Sequence, residues 1–203
     1  MKNKLFYFCA LIILCTGFYF LGNSTSNKSP LKLSNTARLM EDGSNVKVFT
    51  GETKSGLGIE FVFTDNQDNI INTLSVENSN IGGPSYRIVK GIKHDWLVVT
   101  TVGTNGTGYI EYIDSWYMVT SWYGGIQKVL SYNSKISDDN MGIDKETITS
   151  VVSDSTEDKV LDINFTTKTC AEKGACSTSS KVNHYVWNVD TQDSSKSSFV
   201  LKK

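Results

Sequence analysis

Residues 46–201 form a succession of short runs rich in β-branched and aromatic residues, each bounded by Gly, Asn, Asp or Ser. Twelve runs stand out: 46–50, 58–63, 70–76, 86–92, 96–102, 109–113, 116–122, 126–132, 147–153, 160–167, 181–189 and 198–201. Between them nothing sustains the 3.6-residue period of a helix. The expected fold is all-β, an antiparallel β-sandwich or barrel. A propeller needs several four-stranded blades, and this chain supplies strands for at most three. Only residues 33–41 have some helical character, with Leu33, Ala37 and Met40 able to share a face, and that stretch is too short to change the class.

The clearest local signal is the segment 96–132, expected to form a central three-stranded meander. Two extended runs flank Gly103-Thr104-Asn105-Gly106-Thr107-Gly108, where Asn-Gly supplies the positive φ angles of a tight hairpin, and a second reversal follows at Gly124-Gly125. Residues 109–123 read as one long strand with Asp114-Ser115 as its bulge or corner. Alternation divides it into two faces. Trp116 and Trp122 lie on the face expected to turn inward, with Met118. The opposite face presents Tyr109, Tyr117 and Tyr123 beside Glu111, the candidate binding residues, since tyrosine combines a rigid apolar ring with a polar tip. Ordinary cross-strand packing is the competing reading.

Residues 5–22 contain no charged side chain and follow Lys2 and Lys4, the pattern of an export signal. As a helix of about 1.5 Å per residue the segment spans about 27 Å, close to the hydrocarbon thickness of a membrane. Residues 1–24 are therefore a membrane anchor or a cleaved signal peptide. Residues 25–44, rich in Ser, Asn and Lys, read as a flexible tether, and residues 45–203 as an extracytoplasmic domain, in the periplasm or at the cell surface.

Charge and composition exclude several classes. The whole chain has 20 basic and 21 acidic residues; without Lys2 and Lys4 the exported part has 18 against 21, a net charge of −3. Neither nucleic acid nor an anionic lipid surface is an expected partner. Membrane contact is expected only through residues 5–22.

Cys170 and Cys176 are the two cysteines beyond the apolar segment, and in an oxidising compartment a disulfide is the expected state. Two cysteines do not complete a zinc site, and the spacing is not that of a Cys-x-x-Cys redox motif. His94 and His184 are the only imidazoles. His94 precedes a strand at a turn and is expected at the surface, whereas His184 shares a strand face with Val182 and Val186 and is expected to be packed. The glycine-rich turn opens a strand and lacks the Lys-Ser or Lys-Thr of a phosphate cradle. Residues 137–146 bear oxygen ligands but depart from the calcium-loop pattern and read as a solvated turn. No metal, cofactor or catalytic residue is assigned.

The expected function is thus a binding module at the cell envelope, a protein-binding accessory or inhibitor domain and not an enzyme. The alternative is a barrel holding a small sugar or lipid. A hydrolase would require His94 or His184 beside carboxylates in a cleft.

Overall fold

A computed structural model describes residues 30–40, 42–78, 82–120, 125–155, 160–171, 174–188 and 198–202. Residues 5–22 lie outside these, and so does Tyr123. The chain divides after Pro30, and the second unit, residues 31–203, carries twelve strands and no helix among its described residues. They are β1 (Lys32–Ala37), β2 (Val46–Glu52), β3 (Gly58–Thr64), β4 (Ile70–Glu77), β5 (Ser85–Val89), β6 (Trp96–Gly106), β7 (Tyr109–Val119), β8 (Ile126–Asp138), β9 (Ile143–Ser155), β10 (Val160–Ala171), β11 (Ser177–Asn188) and β12 (Ser198–Leu201).

Every ladder is antiparallel and joins consecutive strands. They make a four-stranded sheet, β1 to β4, and an eight-stranded sheet, β5 to β12. Within the larger sheet one joint is weak. β8 and β9 are both 13 residues long, yet residues 135–138 pair with 143–146 and the rest of each strand pairs only with its other neighbour. The larger sheet therefore opens into two leaves, β5 to β8 and β9 to β12, joined by that short stretch of ladder.

Two hydrophobic cores hold the layers. Val46, Val48, Phe61 and Phe63 of the small sheet pack with Leu97, Val99 and Val119 in the first. Trp96, Val98, Trp116 and Met118 pack with Val129, Leu161, Ile163 and Tyr185 in the second, between the two leaves. Alternate residues of β6 and β7 thus enter different cores, so both faces of these strands are buried where they cross the centre. This explains why 96–99 reads Trp-Leu-Val-Val with no polar alternation. Trp116 and Met118 turn inward as their face predicts.

Four local expectations need correction. Residues 32–37, assigned to the tether and to a weakly helical stretch, form strand β1 against β2. Ala37 and Leu39 are fully buried behind it, and Leu39 O accepts the Val119 N–H, so the fold begins well before residue 45. The β6–β7 reversal falls on Thr107-Gly108, two residues beyond Asn105-Gly106: Gly106 pairs with Tyr109, and Gly108 takes the positive φ of 74°. β7 runs through Asp114-Ser115 without a corner. Its irregularities lie to either side, where Ser134 and Val129 of β8 are extra residues in the β7–β8 ladder. His184 is 42% exposed on the outer face of β11, while Tyr185 enters the core.

Cys170 and Cys176 form a disulfide that closes the β10–β11 hairpin, with Cα atoms 4.1 Å apart. The loop is short, so the chain-entropy gain is about 2 kcal/mol. Replacing both cysteines by serine should lower the urea midpoint by an amount corresponding to that figure while leaving a folded chain. Complete unfolding of the double variant would contradict a local role.

Candidate functional site

The leaves part just beyond the Lys135–Glu146 register pair, and a cavity of about 260 Å³ opens there. Arg87 of β5, Thr100 of β6, Asp114 of β7, Ser134 and Lys135 of β8 and residues 146–149 of β9 line it. Strand alternation puts Thr100, Asp114 and Tyr132 on the face that also carries Val98, Trp116 and Leu130. The same surface is apolar where the leaves close and polar where they open.

Asp114 is the centre of this polar end. Its side chain is fully buried, and its oxygens accept from Arg87 at 2.5 Å, Thr100 Oγ1 at 2.7 Å and Tyr132 Oη at 3.1 Å. Burial alone pushes the carboxyl up; the hydrogen bonds from Arg87 and Thr100 and the Arg87 charge outweigh it, holding Asp114 below its usual range. Arg87 is affected in the opposite sense: burial disfavours its charge, and the Asp114 bond more than restores it. Tyr132 reaches across the opening to Thr149 Oγ1 at 2.9 Å. Burial, reinforced by the Asp114 charge, pushes its phenol up to about 12, so Tyr132 stays protonated and can donate to Asp114.

No protein-family model, curated protein or solved structure matches the chain.

A second polar cluster lies at the β5–β6 loop. Asp154 of β9 accepts from the backbone N–H groups of Ile92, Lys93 and His94 at 3.1, 2.9 and 3.2 Å, so one leaf grips the loop of the other. Arg38 covers the loop from outside, donating to the carbonyls of Gly91, Ile92 and Lys93 and to Asp95. Only glycine fits at position 91, since a Cβ there would stand 2.0 Å from His94 O.

His94, expected at the surface, is instead 2% exposed. Its ring is tilted by 55° against that of Trp96 with centroids 4.2 Å apart, and Nδ1 stands 3.3 Å from Asp154. Burial lowers its pKa, and the charges of Asp154 and Asp95 only partly oppose this. As pH falls through about 6.5 the unfolded chain takes up the proton first, so stability is full above that pH and declines below it. The thermal midpoint should therefore drop between pH 7 and pH 5 more steeply in the native chain than in His94→Phe. Parallel profiles would refute this origin of the slope.

The tyrosines singled out by alternation do not make one platform. Tyr117 is half-buried against the first core, which raises its phenol pKa. Tyr109 stands at the opposite end of β7, eight residues and about 27 Å away at 3.4 Å per residue, where it pairs with Gly106 and Asp138. Glu111 lies between Thr104 and Ile136 in the ladders. Tyr123 is outside the described residues.

His184 Nδ1 meets Asp162 at 2.5 Å, and Ser153 donates to the other oxygen of Asp162 at 2.6 Å. Serine and histidine share the carboxylate and have no bond to each other, so this is not the nucleophile–base order of acyl transfer. In the turn 138–142 the Asp138 carboxylate accepts from the N–H groups of Asn140 and Met141. No group of three metal-ligating side chains occurs among the described residues.

The residues that build the cavity escaped sequence reading because their common property is register. Arg87, Asp114 and Lys135 come from three strands, and only strand pairing brings them together. The one signal was Asp114 itself, a charged residue at the middle of a strand whose flanking alternate residues are apolar or aromatic.

Proposed function

We propose that the protein is a binding domain of the extracytoplasmic envelope that holds a small polar ligand in the cleft between its leaves. The observation that carries this is the cavity itself, about 260 Å³ and walled by hydroxyl and charged groups around a fully buried Asp114. Its volume lies just under the roughly 300 Å³ at which ligand pockets begin, room for one small molecule and not for a lipid tail. The separation of Tyr109 from Tyr117 weakens the protein-docking platform, which moves the small-ligand reading ahead of it. Within this proposal the two leaves act as a sandwich with a wet end, and binding without catalysis suffices. The Cys170–Cys176 disulfide is compatible with an oxidising compartment, and residues 5–22 would deliver the chain there as signal or anchor.

A thermal-unfolding screen of the full chain against hexoses, amino acids and small carboxylates at millimolar concentration tests the reading. A ligand with Kd one hundredfold below its concentration stabilises by about 2.7 kcal/mol. At least one class should raise the midpoint of the native chain and not that of Ser134→Trp, which fills the cleft. If no class does so, the cleft is not a ligand site.

A further inference from the structure

The charges lining the cleft are not equally satisfied. Arg87 and Asp114 neutralise each other at its floor, with Arg87 still 43% exposed. Lys135 and Glu146 are register partners on β8 and β9 at its mouth. Oppositely charged neighbours in a ladder ordinarily close an ion pair, but among the described residues these two form none. The Lys135 ammonium lies 5.8 Å from the centre of the Tyr112 ring, and among the described residues the Glu146 side chain has no hydrogen-bond or ionic partner.

We propose that the cleft selects a zwitterion of the α-amino acid class, and this rests on the ligand-binding reading above. The ligand carboxylate lies between Lys135 and the exposed edge of Arg87, while its ammonium meets Glu146. Register partners in an antiparallel ladder point to the same side of the sheet, so both charged tips are presented to one mouth. The four charged side chains that line the cleft sum to zero, with Lys168 standing beyond Glu146 as its register partner on β10; within the cleft a simple anion is opposed by Glu146 and a simple cation by Lys135. A neutral sugar displaces water from two charges and returns no charge to either.

Calorimetric titration of the full chain at low salt with serine, propionate, propylamine and glucose decides the matter. Serine should bind at least tenfold more tightly than propionate or propylamine. Glu146→Gln should cost serine about tenfold, the scale of one hydrogen bond to a charged group, and tighten propionate by removing the charge that opposes it. Lys135→Met should weaken serine and propionate alike. Both residues are at the surface, so the variants fold. Glucose binding without serine binding, or serine binding indifferent to Glu146→Gln, overturns the zwitterion while keeping the cleft as a ligand site. Absence of binding by all four probes overturns the zwitterion too, and the wider thermal screen then judges the cleft.

Discussion

Arg87→Ala should destabilise the fold by about 3 kcal/mol, the low end of the range for removing one partner of a buried ion pair. The low end applies because the Arg87 side chain is 43% exposed while that of Asp114 is 1% exposed. The loss arises from what remains: a buried carboxylate stripped of its countercharge, left with the hydrogen bonds of neutral groups such as Thr100 and Tyr132. Replacing both partners, Arg87→Met with Asp114→Leu, removes the stranded charge and should recover most of the loss. Urea titration of the single and double variants reads this directly. If the double variant is no more stable than Arg87→Ala, the stranded-charge explanation is wrong. The pH profile gives an independent reading. The depressed pKa of Asp114 contributes stability that is fully present above about pH 4 and disappears as pH falls through the folded-state value. In the double variant that acid-labile portion should be gone.

Asp154→Ala should cost a similar amount, about 3 kcal/mol, because three backbone N–H groups of the β5–β6 loop lose a charged acceptor together. Asp154→Asn keeps one acceptor oxygen and should cost roughly half as much. Amide hydrogen exchange separates this from a diffuse loss of core. Protection should fall first at residues 92–94, ahead of the central strands β6 and β7. Uniform loss of protection across the domain would show that Asp154 supports the fold as a whole and not the grip on that loop.

Much of the architecture is legible in the sequence because strand composition and alternation are local properties. Eleven of the strands overlap runs recognisable by their β-branched and aromatic residues. The exception is β1: Lys32-Leu33-Ser34-Asn35-Thr36-Ala37 is polar at most positions and resembles a linker, and its place comes from pairing with β2. The β6–β7 turn lies two residues beyond Asn-Gly because Asn-Gly competes with Thr-Gly, and the ladder register settles the choice. Burial on two sides explains why Tyr117, on the face read as outward, is half-buried. A face that looks outward from one core looks inward to another, and alternation within a single strand carries no information about a second layer. His94 was misplaced for a related reason: its burial depends on Asp154, sixty residues away, and on Arg38, from a segment read as tether. The cysteine pair was readable since its constraint is contained in seven residues.

The pairing of the described strands with their neighbours in sequence has a consequence for how the molecule is made. Each ladder closes a short loop, and closure costs little conformational entropy when few residues separate the partners. Mean sequence separation between paired residues is therefore low for a β-protein of this length, which favours rapid folding. Among the described strands none waits for a distant ladder partner, and the long-range bridge between Met40 and Val119 forms once β7 is made. As the chain emerges N-terminus first, β1 to β4 can zip into a finished sheet before β6 exists, and each later strand adds to an edge already present. The late steps are then the layer contacts, the closing of the two leaves and the capture of residues 92–94 by Asp154. Assembly is progressive along the chain and becomes cooperative only across its layers.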